Sequence, residues 1–246
     1  MPAVTVIIPA HNVEAYLEDA ARSVMAQTFS DFELIIVDDA SSDQTAAVAA
    51  RLAAEDPRIR MLRTDANRYR SGALNLGIRE ARGSFISFLD ADDRYRADKL
   101  ARQVKYLGEH PETAMVYGDF EILAEGADAP YEVRALPSTE GARARLQDAA
   151  HGGPTRGIIH GGYIPSCSPL MRASLFATVS LDESLRNMED FDLWLQIIGS
   201  GFSVVRLPGI TYTYRRHPNQ KSRNSERMKI AAEHIDRKIR EGSYLR

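Results

Sequence analysis

Five short runs rich in β-branched and aromatic residues begin at positions 4, 32, 58, 84 and 113, so 26 to 29 residues separate one start from the next. That interval is the room a crossover helix needs between two parallel strands, and it is far too long for a hairpin. Between the first two runs, Leu17, Ala20, Ala21, Val24 and Met25 fall at i, i+3, i+4, i+7 and i+8, one face of a helix. An alanine-rich segment at 45–54 and a segment at 98–107 read as further helices. Strand and helix in alternation predict an α/β domain with a mostly parallel central sheet flanked by helices. Sheets of this kind bind ligands beyond the carboxyl ends of their strands.

The rhythm breaks after position 120. Residues 125–155 carry scattered Gly, Ala and Pro and are expected to form a mobile connection with one short helix at 141–149. An irregular turn is predicted at Gly161-Gly162-Tyr163-Ile164-Pro165, a helix at 191–198, strands at 202–207 and 211–215, and a basic amphipathic helix at 226–240. Three parts are expected: an α/β half over 1–120, a second half over 121–222, and the basic helix within 223–246.

At 246 residues, with 44% hydrophobic and 26% charged side chains, the chain is long enough for one sizeable core and excludes a disordered or fibrous class. A net charge of -3 argues against nucleic acid as a partner. The charge is uneven: the last 32 residues carry +6 and the first 214 carry -9. The basic end is most simply a solvated face, with peripheral membrane contact as the sharper alternative. The single cysteine, Cys167, excludes an internal disulfide and Cys-x-x-Cys sites, and a reducing, cytoplasmic location is expected. The apolar start lacks the basic flank of a signal peptide and reads as a strand, and no apolar stretch reaches the roughly 18 residues of a membrane span.

Chemistry concentrates at two predicted strand ends. The second strand runs into Asp38-Asp39-Ala40-Ser41-Ser42-Asp43, and the fourth into Asp90-Ala91-Asp92-Asp93. Parallel topology brings both to one rim, where carboxylates about 4 Å apart repel by roughly 4 kcal/mol at an effective dielectric of 20. Such a cluster calls for a cation or a shared proton, and Mg²⁺ or Mn²⁺ suits oxygen donors. In extended backbone Asp90 and Asp92 share a side, while Asp93 points away or caps the next helix. Neither G-x-G-x-x-G nor G-x-x-x-x-G-K-[ST] occurs, which removes the standard glycine-rich phosphate cradles.

These segments carry a family resemblance. Val6-Ile7-Ile8-Pro9-Ala10-His11-Asn12, Ile35-Ile36-Val37-Asp38-Asp39 and Phe88-Leu89-Asp90-Ala91-Asp92-Asp93, in this order and spacing, resemble the family 2 glycosyltransferases of the GT-A fold. Leu181-Asp182-Glu183-Ser184-Leu185 with Met188-Glu189-Asp190-Phe191-Asp192-Leu193-Trp194-Leu195 resembles that family's acceptor-side motif, and Tyr214-Arg215-Arg216-His217-Pro218 its closing motif. The resemblance implies a Rossmann-like nucleotide-binding half, an acceptor-binding half, and a nucleoside-diphosphate sugar held by Pro9, His11, Asn12, Asp39, Arg70 and Asp90. Asp39 would bind the base; a carboxylate accepts the ring N–H of uracil, thymine or guanine but finds none on adenine, which favours a UDP-sugar. Asp92 would ligate Mn²⁺ or Mg²⁺, Asp90 would contact ribose or the ion's water shell, and His217 would complete the metal shell or bond the diphosphate. Asp190, at a helix start where the macrodipole favours a carboxylate, would be the general base towards a saccharide or lipid-linked acceptor. Asn67-Arg68-Tyr69-Arg70-Ser71-Gly72-Ala73-Leu74-Asn75 departs from the family pattern, with Arg68 or Arg70 available for phosphate charge.

Plainer roles stand beside these. Asp38 and Asp39 suit a polar turn, Asp190 an N-cap, Trp194 and Leu195 a core, and Tyr212 and Tyr214 strand packing. A sugar nucleotidyltransferase would need a glycine-rich basic loop after the first strand, where Pro9-Ala10-His11-Asn12 stands. A noncatalytic sugar-nucleotide binding module is the remaining alternative.

Overall fold

The computed structural model describes residues 1–136, 138–155, 157–158, 164–217 and 225–245. In chain order the elements are β1 (Val4–Ala10), α1 (Leu17–Met25), β2 (Phe32–Asp38), α2 (Thr45–Glu55), β3 (Ile59–Arg63), α3 (Tyr69–Glu80), β4 (Phe85–Phe88), β5 (Arg94–Tyr95) and α4 (Lys99–Glu109). There follow β6 (Thr113–Ala124), β7 (Glu132–Arg134), α5 (Ala142–Ala150), β8 (Leu170–Arg172), a 3-10 turn (Ala173–Ala177), α6 (Glu189–Gly199), β9 (Ser203–Arg216) and α7 (Ser225–Arg240). Among the described residues one nine-stranded sheet runs β3-β2-β1-β4-β8-β6-β9-β5, with β7 paired to β6.

The first four strands are parallel, as their spacing predicts. The central two carry continuous apolar stretches, Val6-Ile7-Ile8 and Leu34-Ile35-Ile36-Val37, because both faces are covered there. Alternate side chains of β1 and β2 enter different cores: Val6, Ile8, Leu34 and Ile36 pack on the side of α1, α2 and α4, while Ile7, Ile35 and Val37 pack with α3 and α6. Leu17, Ala20, Ala21 and Val24 are the buried stripe of α1. Beyond β4 the sheet becomes mixed. β8 lies antiparallel between β4 and β6, and β6 runs parallel to β9.

Several expectations are corrected. The helix α3 was not read from the sequence because Ser71, Gly72 and Gly77 break its apolar periodicity. These small residues have a packing role: a Cβ on Gly77 would stand 2.5 Å from Ile7 Cγ2, so glycine lets α3 lie directly on β1. The 125–155 connection holds β7 in addition to the short helix expected there, α5, whose Leu146 and Ala149 are buried. The strands expected at 202–207 and 211–215 are one strand, β9, whose register against β6 shifts near Asp119. The turn expected at 161–165 lies outside the described residues except for Ile164 and Pro165. Position 120 lies within β6, and strands from both 1–120 and 121–222 belong to one sheet.

The basic helix α7 is anchored to the body. Ala231, Ile235 and Ile239 pack with Leu146, Ala149 and Leu195. Lys238 Nζ pairs with the fully buried Asp192 carboxylate of α6, which also accepts from Tyr244 Oη at 2.5 Å and Gln196 Nε2 at 2.7 Å. Met228 and Ile230 stay exposed. Among the described residues no helix is long and apolar enough to cross a membrane.

Candidate active site

The carboxyl ends of β1, β2 and β4 form the rim. Ala10 pairs with Asp38 across β1 and β2, and the Asp39 N–H donates to Ala10 O at 2.7 Å, so the two loops leave the sheet side by side. Asn12 and Ala40, in those loops, have φ of 54° and 53°. This left-handed backbone is uncommon outside glycine and is held here by the loops' own bonds. Asn12 Oδ1 accepts from the Ser42 N–H at 2.8 Å, and the Asn12 N–H donates to Ser41 Oγ at 3.1 Å.

Asp39 is buried. Its Oδ1 accepts from Thr64 Oγ1 and the Arg68 N–H, both at 2.8 Å, which leaves Oδ2 without a partner among the described residues. His11 closes the same corner: Nδ1 lies 2.7 Å from Asp39 O and Nε2 3.1 Å from Asn67 Nδ2. Pro9 lies in β1 directly behind this loop. Asp38, also buried, turns away from the corner towards Arg63, whose Nε is 3.2 Å from Oδ2.

At the end of β4 the chain turns instead of continuing extended, because the Asp93 N–H bonds back to Asp90 O at 3.0 Å. The expectation that Asp93 points away or caps the next helix is therefore corrected. Asp93 is buried beneath the rim, accepting from the Arg215 N–H at 2.9 Å and the Cys167 thiol at 3.4 Å. Ligand atoms of Asp90, Asp93 and Cys167 lie within 4.8 Å of one another. Burial, then the charges of Asp92 and Asp90, hold the Asp93 carboxyl well above the usual range. Asp92 is raised too, by burial first and the Asp90 charge second.

Besides Cys167 and Arg215, the second half of the chain meets this cluster through His217, Ser166 and Glu189. His217 Nε2 lies 3.0 Å from Asp92 Oδ2, with the ring stacked on Tyr16 at 4.8 Å between centroids. Ser166 Oγ lies 3.2 Å from Asp90 Oδ2. Arg70 Nε donates to Asp90 Oδ1 at 2.8 Å while its Nη1 donates to Glu189 Oε1 at 3.2 Å. One guanidinium thus ties the β4 rim to the first turn of α6. There Asp190, 5% exposed, accepts the Phe191 N–H at 2.8 Å on Oδ1 and lies within the electrostatic reach of Arg70. The N-terminus of α6 adds a positive end beside it.

The donor set suits a hard divalent ion. Two carboxyls raised by burial and mutual repulsion carry an electrostatic deficit that a cation removes, and the buried His217 Nδ1 has no partner among the described residues. Asp92 and His217 would hold it, with Asp90 beside them.

Thr64, Asn67, Ser166, Cys167 and Glu189 join the site without having been predicted. Glu189 stood next to the predicted base inside the acceptor-side motif, and Cys167 was read only for its missing disulfide partner. Trp194 is core, its Nε1–H bonded to Ile164 O at 2.8 Å. Tyr212 is buried and Phe120 stacks on it at 5.3 Å, strand packing as expected. Pro218, the end of the closing motif, lies outside the described residues.

The chain is similar to known glycosyltransferases in sequence and fold. An uncharacterized glycosyltransferase of Rickettsia bellii (strain RML369-C) is 32% identical over 200 residues, 80% of this chain and 27% of its own length. EpsE of Bacillus subtilis (strain 168), assigned by name to the glycosyltransferases, is 32% identical over 235 residues, 91% of this chain and 77% of its own. Among solved structures, S. aureus TarS 1-349 in complex with UDP-GlcNAc has a TM-score of 0.72 at 17% identity, covering 98% of this chain and 70% of that one. The mannosyltransferase PcManGT from Pyrobaculum calidifontis, in complex with GDP-Man and Mn2+, has a TM-score of 0.64 at 20% identity, covering 89% and 58%. These structures share the GT-A fold of this chain. The family model for glycosyl transferase family 2 matches residues 5–172, and the chain belongs to that family.

Proposed function

We propose that the chain is a metal-dependent, inverting glycosyltransferase that moves a sugar from a nucleoside diphosphate, UDP first, to an acceptor hydroxyl. The observation that supports it is the meeting of Asp39, Asp90, Asp92, His217 and Asp190, from four segments of the chain, around one rim. The partnerless Asp39 Oδ2 offers an acceptor for the base N–H of a uridine or guanosine donor, and the two neighbours hold one of each.

When bound, a divalent ion supplies positive charge for the diphosphate leaving group. The protein's own groups do the rest. Asp190 takes the proton of the acceptor hydroxyl as its oxygen bonds to the anomeric carbon, while the bond from that carbon to the diphosphate breaks and its electron pair leaves with the diphosphate. Arg70, bonded to Asp90 and to Glu189, ties the start of the helix that carries Asp190 to the donor side. One displacement with one base inverts the anomeric carbon. The nucleotide-sugar half over 1–120, the acceptor half over 121–222 and the C-terminal helix over 223–246 are assigned on the same basis. Cytoplasmic placement with contact at a membrane surface through the exposed side of α7 is part of the proposal, motivated by Met228 and Ile230 beside basic residues.

The test is product identity. Incubation with a UDP-sugar and Mn²⁺ is expected to release UDP, and Asp190→Asn to lower kcat by roughly 10²- to 10⁴-fold with UDP binding intact. Pyrophosphate release from UTP and a sugar 1-phosphate, with no UDP released from the UDP-sugar, would point to nucleotidyl transfer instead, and turnover of neither mixture to a binding module.

A further inference from the structure

We propose that the cleft between the start of α3 and α7 is an acceptor subsite for an anionic group, built on the stacked pair Tyr69 and Arg186; this rests on the glycosyltransferase reading above. The cleft encloses about 190 Å³ and is lined by Tyr69, Leu185, Arg186, Arg227, Ile230 and His234, among others. It is smaller than a whole-ligand site, so it takes one substituent of a larger molecule.

Tyr69 is the anomaly that draws attention to it. A bulky aromatic residue with φ of 60° is strained, and its ring is 41% exposed, so burial does not compensate the strain. The ring's partner explains its position. The Arg186 guanidinium carbon lies 3.7 Å from the Tyr69 ring centroid, and Arg186 Nη1 donates to Glu183 O at 2.7 Å. Arg186 is thereby fixed from two directions, yet among the described residues no carboxylate pairs with it. The carboxylates of its own loop are engaged elsewhere: Asp182 bonds Ser184 and lies near Lys238 and His234, and Glu183 accepts from Asn75 Nδ2 at 3.0 Å. A planar guanidinium, pre-oriented by stacking and lacking a counter-ion, matches the bidentate geometry of phosphate or carboxylate. Arg227 and His234 add cationic or polar edges from α7, and Ile230, 62% exposed, adds an apolar wall.

Position makes the cleft an acceptor site. Tyr69 immediately precedes Arg70, which touches Glu189, and Arg186 stands four residues before Asp190. A group held on Arg186 therefore lies beside the loop that leads into the base-bearing helix α6. The substrate class is a saccharide acceptor bearing a phosphate or a carboxylate.

The test loads the enzyme with saturating UDP and Mn²⁺, then titrates glucose 6-phosphate, glucuronate and glucose by ligand-observed NMR. One or both anionic sugars are expected to bind about tenfold more tightly than glucose, the worth of a charge-assisted pair. Preference for the phosphate or for the glucuronate identifies the source of the charge. Arg186→Gln is expected to erase the preference and leave UDP affinity unchanged; Tyr69→Asn, which keeps a residue tolerant of the left-handed backbone, is expected to do the same. Equal binding of all three sugars, no binding of either anion, or a preference that survives Arg186→Gln overturns the proposal. Failure of UDP itself to bind would overturn the donor reading instead.

Discussion

His217 Nε2 and Asp92 Oδ2 lie 3.0 Å apart across 125 positions of chain, one at the end of β9 and the other in the turn after β4. Their contact closes the donor side of the site, because β9 lies two strands beyond β8 and reaches back to the rim only at its last residues. The pair holds a carboxylate whose pKa burial and Asp90 have raised, with the imidazole acting to lower it.

Asp92→Ala is therefore expected to remove the Mn²⁺ dependence of UDP binding. Loss of a residue that merely orients a metal ligand costs roughly 10- to 100-fold in metal affinity, so loss of a ligand costs at least that. Calorimetry with and without Mn²⁺ reads it directly: equal UDP affinity in the wild type with and without the ion would remove the metal site.

Arg70 is the hinge between donor and acceptor sides, and its removal tests the architecture. Arg70→Met leaves Glu189 and Asp90 facing each other with no cation between them. Breaking a buried pair costs about 3 kcal/mol here, the low end of the usual range because Asp90 keeps 32% of its side chain exposed. Urea denaturation should show the loss, and Arg70→Lys should recover only part of it, since one ammonium does not span both carboxylates in the guanidinium's fixed geometry. A stability unchanged in Arg70→Met would mean that the guanidinium does not bridge Asp90 and Glu189 in solution.

Lys99 gives the protein a pH signature. It is fully buried, bonded to Ser87 Oγ at 2.8 Å and Gln103 Oε1 at 2.9 Å, and burial pushes its pKa down to about 7. In the unfolded chain the amine returns to about 10.4. Between these values the unfolded chain binds a proton that the folded one lacks, so stability attributable to Lys99 rises with pH from about 7 to about 10, by at most about 1.4 kcal/mol per unit. Below pH 7 the folded lysine is charged as well and its burial cost is present in full. Urea midpoints at pH 6, 8 and 9.5 should climb more steeply in the wild type than in Lys99→Met; parallel curves would show that the amine stays protonated in the fold.

The sequence disclosed the parallel β3-β2-β1-β4 frame and most of the rim because those features are local. Unbroken apolar runs such as Leu34-Ile35-Ile36-Val37 announce strands covered on both faces, and aspartates placed just after them have one place to go. What stayed hidden depends on pairs distant in sequence. Asp93 was misjudged because a single i to i+3 bond turns the chain after Asp90. Ser166 and Cys167 reach Asp90 from 76 and 77 residues away, and a three-residue strand such as β8 leaves no periodicity to read. The helix α3 was lost to the same glycine that seats it against Ile7. The acidic stripe of α6 read as one catalytic motif, although Asp192 serves the attachment of α7 through Lys238 and Tyr244.

That attachment can be tested at Gly199, the last residue of α6. By intrinsic propensity, Gly199→Ala should stabilise the helix by up to about 1 kcal/mol. The fold opposes it, because an added Cβ would lie 2.0 Å from Tyr244 O, a backbone atom with no side-chain freedom to yield. Overpacking of this kind costs about 1–3 kcal/mol, and the displaced Tyr244 also surrenders its hydrogen bond to the buried Asp192. The clash outweighs the propensity, so Gly199→Ala is expected to lower the urea midpoint and to speed amide exchange across α7. Tyr244→Phe, which deletes only the hydroxyl, should show a smaller loss with α7 still protected. A stabilised Gly199→Ala protein would mean that the residues after α7 do not rest on α6 in solution, and the anchoring of the base-bearing helix by the C-terminal segment would fall with it.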